Sequence, residues 1–304
     1  MTHRLEFHAM GCGMLGIVDS DSPPPVLQNL PAQFEEWEQA LSRFRSDSEL
    51  CQLNMKSGTN VAVSQTLWDV FSAASDMGIR TRGLVNPLIA DALMEAGYDR
   101  SFDSMQKVDS FAPLSLHDIG VPFLADIVAD EHGRKICLPT GAHLDFGGVA
   151  KGWAADQATR ALSVHGPALF SAGGDIAVSG LRADGEPWQI DVDDPFQPGG
   201  YIETLYLDQG GVATSGKDYR HWMRAGVPQH HIIDPRTGLP AETDVLTATV
   251  IAPTSLVAEG FAKAVLISGS EAGLAWLDGD DSLAGLLVLE NGQRLYSRNL
   301  GAYL

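Results

Sequence analysis

A lysine that follows two glycines is the residue whose type and spacing best suit chemistry in this chain. Lys151 comes three residues after the pair Gly147-Gly148. The surrounding pattern predicts a short apolar strand that ends at Leu144–Asp145, a turn, and a helix from near Val149. Because the first turn of a helix presents free N–H groups and the lysine adds a positive charge, this arrangement suits a diphosphate or a metal–phosphate pair.

The same segment lacks the two best-known phosphate-binding signatures. It contains neither the G-x-G-x-x-G pattern of dinucleotide-binding folds nor the G-x-x-x-x-G-K-[ST] pattern of P-loops. On the local pattern alone, an ordinary tight turn with a surface lysine is therefore the favoured interpretation. The rest of the chain has to decide between the two.

Apolar periodicity predicts the elements that would position this turn. The predicted helices are Gln28–Leu41, a short helix within 42–54 capped by Ser46 or Asp47, Ser64–Thr81, Ile89–Ala96, the helix from near Val149 to Leu162, and Ser255–Ser268. The predicted strands are Leu5–Ala9, Met14–Val18, two strands joined by a double-glycine turn within Val164–Gly180, Trp188–Val192, Ile202–Leu207, one within His230–Pro240, and Leu246–Ala252, with strands and loops over 99–142 and further strands at the end. Strands and helices do not alternate steadily, so we expect a mixed α+β fold rather than a doubly wound sheet.

Composition narrows the class of protein. The chain has 304 residues, is 44% hydrophobic, and carries a formal net charge of −19. Such acidity disfavours nucleic acid and anionic lipid as partners. The three cysteines, Cys12, Cys51 and Cys137, are widely spaced and form no C-x-x-C pair, and no apolar segment is long enough to insert in a membrane. We expect a cytoplasmic protein with one domain over residues 1–304, built of two packed lobes.

Six segments, taken in order, carry a resemblance to a known family. They are SRFRSDSEL at Ser42–Leu50, VNP at Val85–Pro87, LDFGGVAKGWAAD at Leu144–Asp156, SAGGDIAVSG at Ser171–Gly180, ATSG at Ala213–Gly216 and HIIDPRTGLP at His231–Pro240. Together they resemble the ApbE family of FAD:protein FMN transferases, over about Met10 to Leu277. The resemblance implies an ApbE-like α+β fold of mixed sheets and packed helices, with a ligand cleft between two lobes.

The resemblance also implies a reaction and a set of site residues. Family members bind FAD with magnesium, split its diphosphate, and attach the FMN half to a Thr or Ser of a flavoprotein. By motif, the FAD site would be lined by Met10, Phe44, Leu84, Val85, Asn86, Asp145, Lys151 and Ile233, with Lys151 also a catalytic residue. The carbonyl of Gly148 would face the metal. Considered without the resemblance, Met10 and Phe44 are also consistent with ordinary core positions.

His231 is the candidate base for the acceptor hydroxyl. Its neighbour His230 would point to the other side of a predicted strand. A strand histidine paired with the backbone is an equally good interpretation of His231.

The chain departs from the family pattern at the expected metal ligands. Where the family has an Asp and, four residues later, a Thr, this chain has Glu259 and Lys263. Glu can ligate a metal, but a lysine ammonium has three donors and no acceptor, and its charge repels a divalent cation. Three outcomes are open: Lys263 pairs with Glu259 and replaces the metal by a built-in cation, Lys263 turns to solvent and leaves a weakened metal site, or the site is inactive.

Two functions from different classes are therefore carried forward. The first is a flavin transferase that moves FMN from FAD to a flavoprotein partner, with altered metal dependence. The second is a member that binds FAD or another nucleotide and transfers nothing. Family resemblance favours the first function, and the lysine at position 263 favours the second.

Overall fold

The computed structural model describes residues 1–105, 120–224 and 226–304, apart from the side chain of Asp103. In this part of the chain the helices are α1 Pro25–Leu41, α2 Glu49–Asn54, α3 Gln65–Arg80, α4 Ala90–Glu95, α5 Phe102–Met105, α6 Ala150–Ser163, α7 Ser255–Ser268 and α8 Ser270–Asp278, with 3₁₀ turns at Pro87–Ile89, Leu124–Asp126 and Arg298–Tyr303. The strands are β1 Thr2–Ala9, β2 Cys12–Asp19, β3 Val61–Ala62, β4 Val128–Asp130, β5 Lys135–Cys137, β6 Ala168–Ala172, β7 Asp175–Ser179, β8 Trp188–Asp193, β9 Tyr201–Leu207, β10 Gln209–Gly216, β11 His221–Arg224, β12 Val227–His230, β13 Ile233–Asp234, β14 Leu239–Pro240, β15 Val245–Ala252, β16 Ala284–Leu289 and β17 Arg294–Tyr296. The predicted mixed α+β class is confirmed.

The chain divides into two compact units, each made of separate segments. The first unit comprises residues 1–34, 151–218 and 243–304. The second comprises residues 35–150 and 219–242. Whether the whole chain is one domain with two packed lobes stays a prediction.

The first unit is organised by an antiparallel sheet in the order β1-β2-β6-β7-β10-β15-β16-β17. The hairpin between β6 and β7 turns through Gly173 and Gly174, which have φ of 63° and 96°. Both central residues of this two-residue turn need positive φ, which glycine adopts without steric cost. The turn therefore places Asp175 at the first position of β7. One face of the sheet packs on the β8–β9 hairpin through residues that include Trp188, Leu205 and Leu286.

Helix α7 is largely buried. Eleven of its residues are buried, Glu259 included, as is typical of a helix in a core rather than at a surface. Thr254 caps its N-terminus by accepting a hydrogen bond from the N–H of Val257 over 3.2 Å. A charged side chain held inside such a helix requires partners nearby.

The second unit contains α2 to α5 and three small antiparallel sheets, β3-β5-β4, β11-β12 and β13-β14. One core cluster joins Ala92, Leu93 and Ala96 to Tyr98 and Ile233. Helix α3 follows the predicted amphipathic pattern, with Leu67, Val70 and Met77 fully buried. No helix among residues 1–105, 120–224 and 226–304 is long and apolar enough to cross a membrane.

Two local predictions are wrong. The cap of α2 is Ser48, whose hydroxyl accepts from the N–H of Cys51 over 3.0 Å, and not Ser46 or Asp47. The segment that was expected to be a strand ending at Leu144–Asp145 forms no strand. There the side-chain amide of Asn54 takes the place of a strand partner, accepting from Leu144 N over 2.8 Å and donating to Leu144 O over 2.9 Å. In the predicted strand-and-loop region 99–142, residues 106–119 lie outside the described part.

Candidate functional site

Two lysines and two carboxylates form a charged cluster in the first unit. Lys151 Nζ donates to Asp175 Oδ2 and lies 3.3 Å from Glu259 Oε1. Lys263 Nζ donates to the same Glu259 oxygen over 3.0 Å. Of the three outcomes left open for Lys263, its pairing with Glu259 is therefore the one present. Both ammonium groups converge on one oxygen atom.

In this cluster the carboxylate side chains are more deeply buried than the lysine side chains. The side chains of Glu259 and Asp175 are 1% and 4% exposed, whereas those of Lys151 and Lys263 are 17% and 15% exposed. Burial raises the pKa of Glu259, but the ammonium groups of Lys151 and Lys263 and the N–H of Gly152 outweigh it and lower that pKa to about 2. The carboxylate is ionised at neutral pH, and the two cations are the partly accessible members of the cluster.

Gly152 explains how the carboxylate of Glu259 is held. Its N–H donates to Glu259 Oε2 over 2.8 Å. A Cβ at this position would lie only 2.7 Å from the Cα of Leu256 and 2.7 Å from the carbonyl oxygen of Ser255. Since α6 and α7 approach each other at backbone distance here, only glycine fits.

Asp156 fixes the start of α7 from the neighbouring helix. Its Oδ1 accepts from Ser255 N over 2.8 Å and its Oδ2 from Leu256 N over 3.0 Å. Burial raises the pKa of Asp156 to about 6, although the N–H groups of Leu256 and Ser255 favour the charged form. Together, Gly152 and Asp156 tie the segments that carry Lys151, Glu259 and Lys263.

The cluster does not fit a magnesium ion. Mg²⁺ requires oxygen ligands at about 2.1 Å in an octahedron. Both Glu259 oxygens already accept from cationic or N–H donors, and Asp175 is paired with Lys151. A divalent ion on Glu259 Oε1 would lie within about 5.4 Å of each ammonium, a repulsion of roughly 6 kcal/mol per lysine at an effective dielectric constant of 20. Across the described residues, no group of three or more His, Cys, Asp or Glu is arranged to hold a metal ion.

In the second unit, an arginine that pairs with Asp145 also lies against two aromatic rings. Arg43 Nε lies 2.5 Å from Asp145 Oδ2, and both side chains are at most 9% exposed. The guanidinium lies 4.1 Å from the ring centre of Phe44 and 4.7 Å from that of Tyr98. Phe44 is 43% exposed, so the core interpretation of this residue is wrong. A flat, half-exposed ring supported by a cation is suited to stacking with a planar ligand.

Other predicted residues of the second unit have structural contacts of their own. Leu84, Val85 and Asn86 are buried. The Asn86 side chain accepts from Leu88 N and donates to Pro122 O, both over 2.9 Å. Ile233 is 2% exposed in the cluster with Tyr98.

The turn before α6 is organised by Asp145. Its Oδ1 accepts from Gly147 N over 2.6 Å, which is typical of an Asx turn. Gly148 is half-buried in the same turn. In the first unit, Met10 occupies the two-residue turn between β1 and β2 with φ of 49°. The ligand and metal roles expected of all these residues stay predictions.

The two histidines differ from the expected strand arrangement. His230 ends β12, where its Nε2 is 3.1 Å from Ala241 O and its Nδ1 accepts from Ile232 N over 3.2 Å. His231 is half-buried in the bend between β12 and β13 rather than on a strand. Both ring nitrogens of His230 therefore contact backbone groups. The proposed role of His231 as a base stays a prediction.

Sequence reasoning missed three residues that organise these sites. Arg43 lies inside the first quoted motif, Asp175 follows the double glycine of another, and Tyr98 lies in no motif. The two charged residues were detectable as charges within the quoted motifs. Their partners were not, because they are 102 and 24 residues away along the chain.

Comparison with known proteins assigns this chain to a class of protein. The ApbE family model matches residues 10–287. Curated proteins named FAD:protein FMN transferase are similar to the chain. The one from Vibrio cholerae is 30% identical over 279 residues, covering 86% of this chain and 77% of the relative. The one from Salmonella typhimurium is 28% identical over 268 residues, covering 84% and 74%.

The fold is also similar to that of solved ApbE structures. The crystal structure of the ApbE protein from Thermotoga maritima matches with a TM-score of 0.85 and 25% identity, over 100% of this chain and 99% of the other. The flavin transferase ApbE from Vibrio cholerae matches with a TM-score of 0.80 and 21% identity, over 100% and 99%. The architecture is that of flavin-transferase structures. The chain belongs to the ApbE family.

Proposed function

We propose that this protein is an FAD:protein FMN transferase. The observation that carries the proposal is the family match over residues 10–287, together with similar proteins that bear this name. The charged cluster supports it, because two partly accessible ammonium groups suit the diphosphate of FAD. FAD is the substrate, and a flavoprotein is the acceptor.

The transfer is a displacement at phosphorus. The hydroxyl oxygen of a Thr or Ser of the acceptor attacks the phosphorus atom of the FMN half of FAD. The bond from this phosphorus to the bridging oxygen breaks, and AMP leaves with that oxygen. The hydroxyl proton passes to a base, for which we propose His231. Such a reaction depends on positioning and on stabilising the negative charge that develops on the phosphate oxygens.

Individual residues have separate tasks in this proposal. Lys151 binds the diphosphate and stabilises the developing charge. Phe44 stacks on the isoalloxazine ring, with Arg43 and Tyr98 holding the Phe44 ring in place. Further FAD contacts are proposed at Met10, Leu84, Val85, Asn86, Asp145 and Ile233.

Magnesium takes no part in the proposed step. The family resemblance implies the ion, with Gly148, Glu259 and Lys263 at its position. The carboxylate of Glu259 is occupied by Lys151, Lys263 and Gly152. We further propose that the protein works in the cytoplasm, which agrees with the three free cysteines.

A transfer assay tests the function directly. The purified protein is mixed with FAD and a flavoprotein domain whose acceptor threonine is still unmodified, and the acceptor is examined by in-gel flavin fluorescence. We expect a fluorescent acceptor band and release of AMP. Replacing FAD by FMN is the matched control and must give no band, since FMN has no diphosphate to split. Tight FAD binding without a band or AMP would instead support a non-catalytic nucleotide-binding protein.

A further inference from the structure

We infer that Lys151 and Lys263 together bind the diphosphate of FAD in place of a divalent cation, so that this chain neither needs nor uses a metal. The inference deepens the proposed function and rests on FAD being the ligand. It assigns Lys263 a direct contact with the substrate.

The geometry places two positive charges side by side. Both Nζ atoms are within 3.3 Å of Glu259 Oε1, so their separation cannot exceed the sum of the two contacts. Two ammonium groups this close repel each other unless anions lie between them. Glu259 and Asp175 supply those anions from the buried side.

The exposed side of the two ammonium groups suits a further anion. Lys263 Nζ donates to Glu259, while Lys151 Nζ donates to Asp175 and lies 3.3 Å from Glu259 Oε1. These carboxylates are almost fully buried, whereas the side chains of Lys263 and Lys151 are 15% and 17% exposed. A diphosphate offers several charged oxygens at a spacing that two adjacent cations can contact together.

The two positions are fixed by the backbone. Gly152 N–H holds Glu259 Oε2, and Asp156 holds the first N–H groups of α7. Lys263 follows Glu259 by one helical turn, so its Cβ lies on the same face of α7. The cations are therefore preorganised, and little reorganisation is needed when charge develops on the phosphate oxygens. In the transfer, they stabilise the bridging oxygen as its bond to the FMN phosphorus breaks and AMP departs.

The first experiment measures FAD affinity without metal. Binding is followed by flavin fluorescence in EDTA for wild type, Lys263→Met, Lys263→Arg and Lys217→Met. Lys217 is the matched control, since its side chain is only 9% exposed and its ammonium is paired with Glu290 over 2.6 Å. We expect wild type to bind FAD in EDTA, Lys263→Met to bind about 10-fold more weakly, and the other two to stay within about 3-fold of wild type. Unchanged affinity in Lys263→Met, or wild-type binding that requires Mg²⁺, would overturn the inference.

The second experiment compares FMN transfer in EDTA and in excess Mg²⁺. We expect equal wild-type rates in both, and a rate about 100-fold lower for Lys263→Met in both. Wild-type transfer that occurs only with Mg²⁺ would overturn the inference and leave the proposed function intact. Absence of transfer under both conditions, with metal-free FAD binding that depends on Lys263, would overturn the proposed function and leave the lysine site intact.

A third experiment measures metal binding directly, with a variant whose side chains at positions 259 and 263 are changed to the family's types. Glu259→Asp combined with Lys263→Thr places the family's metal-ligand types in this scaffold. We expect this variant, and not wild type, to bind Mn²⁺ as measured by electron paramagnetic resonance. Mn²⁺ binding to wild type at this cluster, abolished in Glu259→Gln, would contradict the inference.

Discussion

Lys263 lies one helical turn after Glu259 on α7, and its ammonium donates to a carboxylate oxygen that Lys151 also contacts. The Glu259 side chain is almost completely buried, whereas the Lys263 side chain is partly exposed to solvent. A buried carboxylate with two cationic partners has a low pKa and holds the cations in place. The consequences for stability, pH dependence and ligand binding can each be measured.

Removing the shared carboxylate should destabilise the protein. Glu259→Gln leaves two ammonium groups without their buried counter-charge, and we expect a loss of about 3–5 kcal/mol in the free energy of unfolding at pH 7. Because the folded-state pKa of Glu259 is lowered from 4.5 to about 2, its ionisation stabilises the fold above about pH 4.5, and this contribution is lost as the pH falls towards 2. Urea unfolding at about pH 7 and pH 3.5 should show a smaller variant effect in acid.

Glu290→Gln is the control for this measurement. Glu290 pairs with Lys217 but its side chain is 59% exposed, so its loss should cost less than about 1 kcal/mol. Equal effects of Glu259→Gln and Glu290→Gln would mean that the buried cluster contributes no more to stability than an exposed ion pair does.

Asp156 should give the opposite pH dependence. Burial raises its folded-state pKa from 3.8 to about 6, so protonation favours the folded state, and stability from this group falls as the pH rises from about 4 to about 6. The change amounts to about 3 kcal/mol. Asp156→Asn cannot titrate. The stability of this variant relative to wild type should therefore rise by about that amount between pH 4 and pH 7 in chemical denaturation, and parallel pH profiles would contradict the assignment.

Phe44 should matter for the ligand and not for the fold. Its ring is 43% exposed, so Phe44→Ala should change the unfolding free energy by less than about 1 kcal/mol. Loss of a stacking platform should weaken FAD binding by about 10-fold, as measured by flavin fluorescence. Phe196, which is 55% exposed in the first unit, supplies the control Phe196→Ala. Equal FAD affinity in the two variants would remove Phe44 from the proposed site.

His231 should affect the chemical step and leave binding intact. His231→Gln removes the proposed base, and we expect FMN transfer to fall by about 100-fold or more with unchanged FAD affinity. The exposed His165 offers the control His165→Gln. If His231→Gln lowers FAD affinity and transfer in the same proportion, His231 acts in binding and the base lies elsewhere.

Local patterns in the sequence predicted most of the secondary structure. The predicted limits Ser64–Thr81 bracket α3, whose N-cap is Ser64, and the predicted limits of α7 agree with the structure. Both helices have a capping hydroxyl and an apolar pattern that depend on neighbours in sequence. The short helix α2 has several candidate caps in succession, and only its tertiary contacts favour Ser48, whose hydroxyl also donates to Ser42 O.

The charged cluster shows where local patterns stop being informative. The four-residue spacing predicted that Lys263 could pair with Glu259, and it does. It did not predict that Lys151 shares the same oxygen, because that contact depends on α6 and α7 meeting at Gly152. The segment at Leu144 was mistaken for a strand because an apolar run looks the same whether its hydrogen-bond partner is a strand or a side chain.

The side-chain amide of Asn54 links two points of the chain that are 90 residues apart. It hydrogen-bonds both the N–H and the carbonyl of Leu144. Deamidation would turn this side chain into a carboxylate, which has no donor for the Leu144 carbonyl and adds a charge at a site that is only 9% exposed. Conversion of this one amide to a carboxylate would thus loosen the segment that leads to the glycine turn.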